Sequence, residues 1–166
     1  PHHHYLHRRK RQMCIRDRNL AAALGHQVVP PVPSLFSLAL QAPALSVCSG
    51  IAIDDVGLDL KLGDERFRQT GRVLITHRGL SGPATLRLSA FAARALHQNR
   101  YKGELKLDWS AGLGRSGLTE RFQQWRQEQA RRTLAAAKPC EHLPRRLWQV
   151  FLTCLLYTSP SPRDSR

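Results

Sequence analysis

The stretch Thr76-His77-Arg78-Gly79-Leu80-Ser81-Gly82-Pro83 gathers the residues best suited to chemistry. A strand ending at Thr76 would feed a turn holding two glycines, which permit close approach of backbone to a ligand. Ser81 is a good helix N-cap, and Pro83 is tolerated in a first helical turn. The free N–H groups and positive dipole end of that helix would face the turn and favour an anionic group such as a carboxylate. His77 stands beside it, and an imidazole titrating near neutral pH can supply a proton. His77 is therefore the candidate catalytic residue. Thr76, Gly79, Ser81 and Gly82 are the candidate binding residues. The competing account is an ordinary capped strand-to-helix corner.

The other reactive residues make weaker patterns. Gly112-Leu113-Gly114-Arg115-Ser116-Gly117 matches the GxGxxG phosphate-binding spacing after a plausible strand. A dinucleotide site would need a second parallel strand after the following helix, and an acidic residue at that strand's end. Neither is legible, since Glu128 and Glu141 fall on or between helices. Asp54, Asp55, Asp59 and Asp64 read as a solvated sheet face, and His26 as a local hydrogen-bond partner. There is no legible Ser/His/Asp or Cys/His triad, and Cys48 and Cys140 have no CxxC spacing or matching histidines. Neither a metal site nor a disulfide is expected, which fits a reducing cytoplasm. No segment outside the ends reaches the ~20 apolar residues of a membrane span.

The ends distort the composition. Met13 to Asp17 can be encoded by a DNA string whose reverse complement runs through codons for Leu155 to Ser159. Pro160 to Asp164 continues the same theme. Residues 1–18 and 154–166 therefore read as translated sequencing adapter, expected to be disordered and excluded from fold reasoning. The chain of 166 residues has 26 Lys/Arg, 12 Asp/Glu and a formal charge of +14. Setting aside the eight basic and two acidic residues of those ends leaves +8. The histidine run at His2, His3 and His4 falls away with them.

Periodicity then supplies the elements that would position the corner. Asn19 to Gly25 reads as the last turn of a helix with a glycine C-cap. His26 to Val29 reads as a short strand, stopped by Pro30-Pro31-Val32-Pro33. Leu35 to Leu40 is a further strand candidate. From Ile51 to Leu62 apolar and polar residues alternate, but Ile53 and Val56 are out of phase. A phase slip at Asp54-Asp55 implies a β-bulge. Gly63-Asp64-Glu65 reads as a hairpin turn, with Arg66 to Thr76 as the returning strand. The helix after Ser81 places Ala84, Leu88, Phe91, Ala92, Ala95 and Leu96 on one face. Lys102 to Trp109 is another strand. Helices follow, one carrying Leu118, Phe122 and Trp125, with Leu134 and Ala137 continuing the stripe. A second starts at Pro144 and carries Leu147, Trp148 and Phe151. Arg121, Arg126, Arg131, Arg132, Arg145 and Arg146 decorate them. A solvated basic face is expected there, and a non-catalytic module binding RNA is the alternative function.

Four blocks, "LGHQVVPPVPSLFSL", "LSVCSGIAIDDVGLDL", "RVLITHRGLSGPATLRLSAF" and "HLPRRLW", resemble successive parts of the HI0933-like NAD(P)/FAD-dependent oxidoreductases. The resemblance covers nearly all of residues 19–153. It implies an α+β piece of a larger Rossmann-type flavoprotein. Residues 19–33 would be the tail of the first FAD-binding Rossmann segment. Residues 34–110 would form a β-barrel-like insert domain with a helix, and 111–153 part of a small helical domain. The resemblance further implies FAD as cofactor, NAD(P)H as electron donor and a small organic molecule as substrate. Thr76, Gly79, Ser81 and Gly82 then become cofactor-binding residues. The glycine-rich FAD motif is not in this stretch. The missing Rossmann segments are expected as its partner, and the stretch is expected to be inactive alone.

Overall fold

The computed structural model describes residues 15–128, 133–136 and 140–158, the last four as backbone. The chain forms two compact units, one ending at Val32 and one beginning at Pro33.

In the first unit a helix, α1 (residues 15–23), ends as the sequence implies. Gly25 takes φ +82°, the Gly25 N–H donates to Ala22 O, and the His26 N–H donates to Ala21 O. This pair of bonds, closed by a left-handed glycine, satisfies carbonyls that the helix end would otherwise leave bare. His26 to Val29 does not form the expected strand. A strand exists only by pairing, and these residues join no ladder among the described residues.

The second unit is built on an antiparallel sheet in the order β1-β4-β3-β2-β5. The strands are β1 (Leu38–Ala39), β2 (Ala52–Leu62), β3 (Glu65–Thr76), β4 (Gly79–Ser81) and β5 (Glu104–Asp108). The expected strand from Leu35 to Leu40 shortens to the two residues that pair β4. A single helical turn, α2 (Pro43–Ser46), follows it.

The phase slip in β2 is a bulge. Ile53 faces Val73 and Val56 faces Gly71, so Asp54 and Asp55 together oppose one partner residue. Asp55 takes φ +55°. Both Ile53 and Val56 are thereby turned inward with Leu58, Leu60 and Leu62, all buried. Extra twist at such a bulge curls the sheet towards a barrel. Gly63 and Asp64 close the β2–β3 hairpin, with Leu62 paired to Glu65 and Gly63 at φ +59°.

On the concave side lies the core of Val73, Ile75, Leu80, Ala84, Leu88, Ala92 and Leu96. The predicted single helix is two, α3 (Pro83–Phe91) and α4 (Ala93–Gln98). Its buried face is also displaced. Thr85 and Ser89 are fully buried, whereas Phe91 is 71% exposed. At 100° per residue, the arc spanned by Ala84, Thr85, Leu88, Ser89 and Ala92 leaves Phe91 just outside it, towards Arg87. Burial of the two hydroxyls costs little because both are bonded. Thr85 Oγ1 donates to Ser81 O, while Ser89 Oγ donates to Leu86 O and accepts the Phe36 N–H at 3.0 Å.

The helical part consists of α5 (Gly114–Glu128), a 3-10 turn (Leu134–Ala136) and α6 (Arg145–Thr158). Phe122 and Trp125 of α5 pack with Phe151 against buried Trp148 and Leu152. The Trp148 indole donates to Leu134 O at 3.2 Å. Trp109, just past β5, meets Phe151 with ring centroids 5.9 Å apart. The ring of His142 lies 2.8 Å from Trp109 O. These contacts fix α6 to the end of the sheet. Ala137, Arg131 and Arg132 lie outside the described residues.

Helical backbone extends through residues 15–18 and 154–158, which were expected to be disordered. Both stretches directly continue helices whose residue types favour propagation.

Candidate functional site

In the Thr76–Pro83 stretch the end of β3 turns back into the short strand β4, and only then does a helix begin. Thr76 pairs with Gly79 across a two-residue turn of His77 and Arg78. The Gly79 N–H donates to Thr76 Oγ1 at 3.1 Å and so ties the turn shut. Leu80 then points into the core, fully buried. The predicted strand-to-helix loop is thus replaced by β4, wedged between β3 and β1. A three-residue strand containing two small residues carries too little periodicity to be read from sequence.

His77 and Arg78 are exposed at the tip. The structure brings the four other candidates together beside them, yet engages each with the chain itself. The two glycines are required by the chain's own backbone. A Cβ on Gly79, whose φ is +155°, would run into Leu38 O and come within 2.8 Å of Leu40 N. On Gly82, with φ +97°, it would lie 2.9 Å from Leu74 N. The space that a ligand-cradling glycine keeps open is here filled by β1 and β3.

Ser81 is not the helix cap. The cap position belongs to Gly82, with no side-chain cap bond, and Pro83 opens α3 as predicted. The Ser81 hydroxyl instead accepts a hydrogen bond from Ser37 Oγ at 2.9 Å. What this corner offers to a ligand is therefore the imidazole of His77, the guanidinium of Arg78 and the Ser37–Ser81 hydroxyl pair. It does not form a cradle for a pyrophosphate.

The GxGxxG run opens α5, with Gly112 at φ +80° and Gly114 at φ +66°. All pairings in the sheet are antiparallel, so no βαβ unit surrounds it. Gly114 N–H donates to Ser110 Oγ at 3.3 Å, and both the backbone N–H and the hydroxyl of Ser110 donate to Asp108. The run is thus a local cap joining β5 to α5.

Among the described residues no cluster of His, Cys, Asp or Glu could hold a metal ion. Cys48 and Cys140 are buried. Burial pushes both thiols up, against a smaller opposing pull from Arg146 on Cys48 and from Arg121 on Cys140. Such thiols are poor nucleophiles. On the convex sheet face, partial burial of Asp59 would raise its carboxyl, but hydrogen bonds and charge from Arg68 and Arg66 outweigh it and hold it below the ordinary carboxylate range. Arg121, Arg126, Arg145 and Arg146 are exposed, with Glu120 and Glu128 among them, as on a solvated face. No described helix is long and apolar enough to cross a membrane.

A curled antiparallel sheet backed by helices, with a helix–turn–helix unit fixed to its end, defines an α+β domain of half-barrel type. Residues 32–162 match the family model described as the HI0933-like protein barrel and H2TH domain, and the chain belongs to that family. No curated protein matches the chain.

Proposed function

We propose that this chain is the barrel and helical part of a flavin-dependent oxidoreductase that uses NAD(P)H and FAD to reduce a small organic substrate. Family membership over residues 32–162 carries the reading. FAD, when bound, would supply the hydride chemistry, and the protein supplies binding, orientation and electrostatics. The glycine-rich FAD cradle would come from Rossmann segments beyond this stretch.

On this reading the His77–Arg78 tip faces the reaction site. Arg78 would attract an anionic group, and His77 would hold the proton delivered as the substrate is reduced. Thr76 and Gly79 would act by shaping the turn, and Ser81 by presenting its hydroxyl beside it. Gly82 would set the direction of α3. The exposure of His77 and Arg78, in a hairpin otherwise locked to its neighbours, supports that division of roles.

The test is made in a flavin-loaded protein that contains both this stretch and the Rossmann segments. His77→Gln and Ser81→Ala are compared with wild type for flavin content, flavin reduction by NAD(P)H and reoxidation by substrate. A slowed reoxidation in His77→Gln with flavin content retained is expected. Unchanged rates in both half-reactions would make the corner structural only.

A further inference from the structure

We draw no further inference here: the strongest candidate, the cavity of about 350 Å3 lined by Ser110, Leu113, Arg121, Cys140 and His142 between the start of α5 and the turn before α6, joins a helix N-terminus to a single buried thiol, and nothing among the described residues points to a ligand in it.

Discussion

Gly79→Ala tests whether the glycines of the hairpin serve the fold. The three atoms nearest to the new methyl would all be backbone: Leu38 O, Leu40 N and, at 3.0 Å, Ala39 Cα. Backbone cannot swing aside as a flexible side chain can, so β1 must leave β4. Holding alanine at φ +155° costs about 1–3 kcal/mol. Losing β1 forfeits the Leu38–Leu80 and Ala39–Gly79 pairings and the bond from Leu40 N–H to Arg78 O at 3.0 Å. At about 1 kcal/mol per hydrogen bond, that adds roughly 2–3 kcal/mol. The total, about 3–6 kcal/mol, is a large part of the ~5–15 kcal/mol that stabilises an ordinary domain. Gly112→Ala is the control. It also has a positive φ, but its Cβ would meet nothing within 4 Å. It should cost only about 1–2 kcal/mol, the penalty of the left-handed backbone. Urea unfolding followed by circular dichroism gives both values, and hydrogen exchange at the Leu40 amide reports β1 directly. If Gly79→Ala loses no more than Gly112→Ala, and the Leu40 amide stays protected, the close-approach argument is wrong.

Three further outcomes are expected. The Asp59 carboxyl titrates lower in the folded chain than in the unfolded one, so its contribution is present above about pH 4 and is lost as pH falls through the folded value. The stability difference between wild type and Asp59→Asn, read from urea midpoints, should therefore shrink on acidification; a difference constant from pH 6 to pH 2 would contradict the Arg66 and Arg68 pairing. Cys48 and Cys140 should react with a disulfide reagent at pH 8 far more slowly in the native chain than in urea; equal rates would mean that neither is buried. The chain purified with excess FAD should elute without flavin, because Gly79 and Gly82 pack against its own strands and the GxGxxG run sits in no βαβ unit; elution with one flavin per chain would overturn that conclusion.

Much of the fold was legible because alternation and turn chemistry are local. The bulge showed as a change of parity between Ile53 and Val56, and the β2–β3 hairpin as Gly63-Asp64 between alternating runs. Gly25 and Pro83 marked helix ends by residue type alone. The misses were set by distant contacts. Ser89 is buried because Phe36 N–H bonds to it, which no window around Ser89 reveals. Phe91 was placed in the core for the same reason, since hydropathy alone ranks it above a bonded serine. At the candidate site, the sequence located the corner and both glycines. It could not distinguish a glycine that admits a ligand from one that admits Leu38 and Leu40, because that strand lies far back in the chain.

The strand order also sets an order of events in folding. β2 and β3 meet through a two-residue loop, so their hairpin can close on a microsecond scale. β1 pairs β4 by joining residue 38 to residue 80, and β5 reaches β2 only after α3 and α4 have intervened. Those closures carry the larger entropy of long loops. The central hairpin is thus placed to act as the nucleus, with the two outer strands added last. Substitutions in β2 or β3 should slow folding, whereas those in β1 should chiefly speed unfolding. The His77–Arg78 turn hangs from β4, whose outer neighbour β1 is in that late group. Opening of β1 would leave the turn anchored through β3 alone, while the rest of the sheet stays closed.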